Sequence, residues 1–304
     1  MKIKKIMKNI NPLNNTQEVS AALYVIKKLL AFFLIYGVSA VAGEVVVIGG
    51  LMARGYNPLN GDMPTGYIAQ LLPYYGFAIF FIVAVLYCKL VEKRGIKSLG
   101  FNKKVFDYVT GAVIAILMIA VIAVVCCITG VFTFNGITSI NVGYLLPMLI
   151  AFFIQSAAEE VMSRGFLLTS LNKKTSLPVA VFASATAFAI PHLMSIMEAD
   201  TEFVIIGIIN LYLVSIIFSL LFMLRANIYI ACGLHCVWNF LLNGVMGLSV
   251  SGSNNNPDAP MSFTVNAETI LSGGAYGIES SIITTVVMVI VAVILVMIYR
   301  KRGK

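Results

Sequence analysis

Charged residues are scarce: Asp, Glu, Lys and Arg fill 11% of the 304 positions, against 60% that are hydrophobic. A soluble domain carries about a quarter charged residues, so this scarcity, with a mean hydropathy of +0.94, excludes one. Histidine is scarcer still. Only His192 and His235 occur, so any imidazole chemistry is confined to those two positions. No segment repeats, which argues against the internally repeated halves of many secondary transporters, and no glycine pattern of a nucleotide-binding loop occurs. The five cysteines (Cys88, Cys126, Cys127, Cys232, Cys236) lie within or at the ends of apolar runs, where they read as small hydrophobes and not as a disulfide framework. The net charge of +8 would suggest nucleic acid for a soluble chain. Basic residues in short loops also orient membrane helices; that reading fits this composition, and no nucleic-acid partner is expected.

What is present is a series of long apolar runs. About 20 apolar residues cross a bilayer, and runs of that order occupy roughly 29–52, 67–88, 108–132, 143–170, 178–194, 203–224, 228–247 and 281–299. The expected fold is all-α: a polytopic integral membrane protein of about eight transmembrane helices. The first run contains VSAVAG, which mimics a signal-peptide cleavage site, but it continues past those residues and reads as a retained span. With the N-terminus inside, the inner segments collect Lys2, Lys4, Lys5, Lys8, Lys27, Lys28, the loop KLVEKRGIKSLGFNKK, Lys173, Lys174, Arg225 and the tail RKRGK. Of the basic residues, only Arg54 falls outside. The outer segments hold Asp62, Glu198, Asp200, Glu202, Asp258, Glu268 and Glu279. This asymmetry places both termini in the cytoplasm and suits a bacterial plasma membrane.

The division that follows is a basic cytoplasmic segment 1–28, a single integral membrane domain 29–299 and a basic tail 300–304. Within the membrane domain a core spans 143–247. The extracytoplasmic stretch 248–280, rich in Ser, Asn and Gly, reads as a linker in preference to a lid.

Ionisable groups inside spans are costly and by default mark function. Here they are Glu44, Glu159, Glu160, Arg164, His192 and His235, with Asn239 as an uncharged companion. Glu44 has no motif around it and reads as interfacial or packing. Glu159 lies 12 residues before Leu171 and His192 lies 14 after Pro178, so both sit about 18–21 Å from the hairpin that joins spans four and five. Antiparallel neighbours would bring them level. In EEVMSR, Glu160 and Arg164 are four apart with the acid first, the favoured order for a helical pair. Glu159, about 100° round the helix, is left for another surface. His235 and Asn239 are also four apart and share a face. A water polarised by Glu159 and His192 could attack a peptide carbonyl while His235 and Asn239 donate to the developing oxyanion. Two histidines and a carboxylate also make a hydrolytic zinc set, so Glu159, His192 and His235 are equally the candidate metal ligands. The cofactor is therefore a divalent metal such as Zn2+ or none. Pro191, directly before His192, is expected to break the fifth helix. Trp238 needs only a packing or interface role.

These residues resemble the CAAX prenyl endopeptidases and their bacterial relatives, the CPBP or Abi membrane proteases associated with bacteriocin processing and self-immunity. Two glutamates with an arginine four after the second stand at Glu159, Glu160 and Arg164; Phe-x-x-x-His stands at Phe188 to His192; His-x-x-x-Asn stands at His235 to Asn239. The resemblance covers roughly 143–247. It implies an α-helical intramembrane endopeptidase in which Glu159 and His192 activate water, His235 and Asn239 support the oxyanion, and Glu160 and Arg164 support the site. Both a metal-dependent and a metal-free glutamate mechanism are compatible with it. The implied partners are the lipid bilayer and a peptide or protein substrate, either a bacteriocin- or pheromone-like precursor or a CAAX-like terminus. The alternative is a non-enzymatic immunity or regulatory protein of the same family that binds a partner through these helices.

Overall fold

A computed structural model of the chain describes residues 7, 9–15, 19–64, 67–253 and 255–302. The basic positions expected at Lys2, Lys4, Lys5 and Lys8, and the last two residues of the tail, lie outside them. Eight principal helices account for most of the fold: α1 Ala21–Ala53, α2 Tyr67–Leu90, α3 Asp107–Ile128, α4 Val142–Leu171, α5 Leu177–Ile196, α6 Thr201–Arg225, α7 Tyr229–Val245 and α8 Ile282–Arg302. All but α7 are long and apolar enough to cross a membrane. Their outward faces carry Val41, Leu117 and Val286, each more than half exposed. Apolar faces of that extent require lipid, and the protein is an integral membrane protein.

Two departures from the expected elements have local causes. α1 starts at Ala21 and not near 29, because Ser20 caps it, its Oγ accepting from the Leu23 amide at 3.4 Å. Lys27 and Lys28, which the sequence suggested as a boundary, are instead buried inside the helix. The fold is also not purely helical. α3 stops at Ile128, the chain turns at Gly130 with φ +72, and β1 (Phe132–Ile137) pairs antiparallel with β2 (Met261–Val265) across a bulge between Phe134 and Gly136.

The chain divides into two compact units, each discontinuous in sequence. The first comprises 1–103 and 154–187 and the second 104–153 and 188–304.

In the first unit, charges that composition would forbid are answered by one another. Glu92, buried just after α2, pairs with Lys28 of α1 and with Arg94, whose Nε stands 2.6 Å from Oε2. The Arg94 guanidinium also donates to Thr169 Oγ1 at 2.9 Å and Ser170 Oγ at 3.0 Å on α4. Lys27 Nζ donates to Asn14 Oδ1 at 2.5 Å. Buried ions survive only when paired and hydrogen-bonded, and this cluster ties α1, the segment after α2 and the end of α4 together.

In the second unit, α3 and α7 meet backbone to backbone. A Cβ on Gly111 would stand 2.0 Å from the Ile230 carbonyl oxygen, and one on Gly233 2.1 Å from that of Tyr108. Small residues give this closeness where lipid removes any hydrophobic drive between helices. Ala115, Met118, Ile119 and Ile122 continue the buried stripe of α3 at helical spacing. The stretch 248–280 is not a plain linker. Asn256 Nδ2 donates to Tyr144 Oη at 2.6 Å, Thr284 Oγ1 donates to the Ile278 carbonyl at 2.7 Å, and β2 lies within it. Several of its polar residues bond one another or the turns they build, as Ser249 Oγ does the Tyr276 carbonyl and Ser272 Oγ the Thr269 carbonyl.

Replacing Gly111 or Gly233 by alanine is expected to force α3 and α7 apart and lower stability by about 2 kcal/mol, in the range of overpacked cores. Thermal unfolding in detergent measures it. A change below about 0.5 kcal/mol, the size typical of inert substitutions, would contradict the contact.

Candidate active site

α4 carries the carboxylate motif. It runs as α-helix to Glu160, passes into a π-helix over Val161–Leu168 and returns to α-helix for Thr169–Leu171. Glu160 and Arg164 are fully buried and paired, Oε1 accepting from Nη1 at 3.0 Å. The pair expected from spacing is therefore present. Glu159 is half-buried, and its Oε1 accepts from Gln155 Nε2 at 3.2 Å, one turn earlier. π turns inside α-helices concentrate at functional sites. No feature of the sequence signals this one.

α5 breaks where proline predicts. Its regular part ends at Ala189, and Ile190–His192 form a 3-10 turn before Leu193–Ile196 resume. Pro191 has no amide to continue the α ladder. The Phe188 carbonyl, four residues before His192, accepts from the imidazole Nδ1 at 2.9 Å. A carbonyl can only accept, so Nδ1 carries the proton and Nε2 of the neutral ring is left as a base or ligand. The Phe188 ring lies 4.9 Å from the His192 ring, which limits its rotation.

α7 brings His235 and Asn239, both buried, onto one face. Phe218 stacks on the His235 ring at 5.0 Å and 21°, and Phe188 meets it edge-on at 6.0 Å. Immediately after Asn239 the helix becomes π over Phe240–Val245. Each motif-bearing helix thus changes winding within its motif or directly after it.

Within the second unit, His192, His235 and Asn239 line a common cavity with Trp238, Tyr276 and Glu279. The space open to water centres is about 30 Å³, the room of about two water molecules. Three of the predicted catalytic residues therefore come together. Glu159, Glu160 and Arg164 belong to the first unit. Among the described residues, no group of three or more His, Cys, Asp or Glu is arranged to hold a metal ion. His192, with Nδ1 committed to a carbonyl, has the orientation of a metal-binding imidazole, but the described residues offer no assembled donor set.

Sequence reasoning missed four contributors. Trp238 is no mere packing residue: its indole Nε1 donates to Glu279 Oε1 at 2.8 Å. Glu279, Ser251 and Tyr276 all come from the stretch read as a linker and all line the cavity. Burial and the neighbouring Glu279 carboxylate push the Tyr276 hydroxyl above the ordinary phenol range, so it stays protonated and able to donate. The available signal was an acid and a tyrosine within a small-residue stretch, too weak to single out.

Residues 141–241 match the family model described as type II CAAX prenyl endopeptidase, Rce1-like. The matched segment holds Glu159, Glu160, Arg164, His192, His235 and Asn239. No curated protein matches the chain.

Glu160→Gln should destabilise the protein more than Arg164→Met. The first removes the counter-charge of a buried guanidinium that cannot give up its proton, whereas the second leaves an acid that can take one up. Breaking such a pair costs about 3–5 kcal/mol. Melting temperatures of both variants in detergent measure the asymmetry, and equal or reversed losses would contradict it.

Proposed function

We propose, from the premise that residues 141–241 are an Rce1-like type II CAAX prenyl endopeptidase domain, that the protein is an intramembrane endopeptidase acting on a membrane-associated protein or peptide. The observation that carries this reading is the shared cavity of His192, His235 and Asn239, whose side chains come from two helices far apart in sequence.

In the proposed reaction Glu159 takes a proton from a water, which attacks the scissile carbonyl carbon. His192, with its Nδ1 proton held by the Phe188 carbonyl, orients that water through Nε2. The carbonyl oxygen becomes an oxyanion. Asn239 donates to it through its amide, and His235, held between the Phe218 and Phe188 rings, donates through a ring N–H. Such donors act strongly where water is excluded and their positions are fixed in advance. Collapse of the intermediate breaks the C–N bond, and the proton on Glu159 passes to the leaving amine. Glu160 and Arg164 take no proton. Their buried pairing fixes the helix turn that carries Glu159. A divalent metal held by Glu159, His192 and His235 would supply Lewis acidity to the same water. Both termini lie on the cytoplasmic side in this reading, following the distribution of Lys and Arg. A bacteriocin- or pheromone-like precursor and a CAAX-like terminus are both substrates of the proposed class.

Purified protein tested on a peptide library should cleave, and Glu159→Ala, His192→Ala and His235→Ala should each abolish cleavage while the protein remains in the membrane. Asn239→Ala should lower kcat about 100- to 1000-fold, the usual loss of one oxyanion donor. Full activity in any of the three alanine variants would overturn the assigned roles. Activity lost to a chelator and restored by zinc would assign the metal-dependent route, and indifference to the chelator the glutamate route.

A further inference from the structure

Glu279 brings a negative charge into the histidine cavity from outside the matched segment. It sits in the 3-10 turn Ile278–Ser280, directly after Gly277 at φ +92. Asn210 of α6 fixes the turn, donating to the Glu279 carbonyl at 2.8 Å and to the Ser281 carbonyl at 3.1 Å. The carboxylate is also fixed: Oε1 accepts from Trp238 Nε1 at 2.8 Å, and Oε2 from the Ser251 amide at 2.5 Å. Every one of these donors is neutral. Among the described residues no lysine or arginine is paired with Glu279, in contrast to Glu92, Glu160 and Asp107. A strap that only tied the loop to α7 would need an acceptor, and an amide would serve.

The surroundings of that charge fit a cation. Phe188, Phe218, Trp238 and Tyr276 line the same cavity, and aromatic faces with a carboxylate attract an ammonium more strongly as water is excluded. Space for about two waters suits a compact ammonium better than a planar guanidinium. Resting on the endopeptidase reading above, we propose that Glu279 makes this cavity an ammonium subsite, which selects substrates carrying a lysine side chain beside the scissile bond or a free N-terminal α-amino group near it.

The test uses the full chain in detergent and peptides matched in pairs, lysine against norleucine at each position around the cleavage point, each with a free or an acetylated N-terminus. Wild-type kcat/KM is expected to be at least tenfold higher for the ammonium-bearing member, chiefly through KM. The free and acetylated arms tell which ammonium is read. Glu279→Gln, with its melting temperature recorded, should bring that ratio close to one. A ratio near one in the wild type would overturn the proposal without any variant, and an unchanged ratio in Glu279→Gln would reduce Glu279 to a strap. If the wild type cleaves no peptide, the endopeptidase reading fails by itself. Binding of fluorescent lysine and norleucine peptides then tests the subsite, and equal Kd values would overturn it.

Discussion

The geometry of the second unit depends on the approach of two backbones at Gly111 and Gly233. α7 is the shortest of the eight helices, with eleven residues of regular α-helix before it turns to π, and it carries His235, Trp238 and Asn239. Lipid is as apolar as its flanks, so the hydrophobic effect does not hold it in place. Contact between main chains does. With each glycine within van der Waals reach of a carbonyl on the facing helix, α7 can neither rotate nor slide without a clash. Its polar face is thereby committed to the side where Phe218 and Phe188 grip the imidazole.

Polar groups in an apolar interior must find partners inside the protein, and the two units do so differently. The first uses ions against ions: Glu160 with Arg164 along one helix, and Glu92 with Lys28 and Arg94 between segments. The second uses mostly neutral donors. Asn210 holds the turn that bears Glu279, while Asn256 and Tyr144 bond each other and Asn256 reaches Asn243 at 3.3 Å. The contrast has a chemical consequence. Charges that neutralise one another form rigid supports, whereas Glu279 is held by neutral donors, the arrangement that the proposed ammonium subsite requires.

Spans were legible because hydropathy over about 20 residues averages out local detail, and seven of the eight expected runs became long apolar helices. The Glu160–Arg164 pair and the break at Pro191 were legible because each depends on residues within one turn. What escaped depends on partners distant in sequence. Lys28 reads as a span boundary until Glu92, 64 positions on, is placed beside it. Trp238 reads as packing until Glu279, 41 positions on, accepts its indole proton. The stretch 248–280 has the Ser, Asn and Gly content of a linker, yet those same residues make its turns and internal hydrogen bonds possible. The π turns after Glu160 and Asn239 have no compositional mark at all.

The division of labour in the cavity follows from where its walls come from. His192, His235 and Asn239 lie within the matched segment 141–241, and the proposed reaction uses them as donors and one base. Ser251, Tyr276 and Glu279 come from the folded stretch beyond it. Water activation and oxyanion support require fixed atoms, which helices in backbone contact supply. The proposed discrimination between substrates requires a wall whose side chains can differ without disturbing those atoms, and the stretch that would supply it is joined to α7 at Trp238 and Asn243 and to α6 at Asn210. The Trp238–Glu279 hydrogen bond is one point where the two meet. It lies one residue from Asn239, so under the proposed reaction a substrate ammonium drawn to the carboxylate would stand close to the group assigned to the oxyanion.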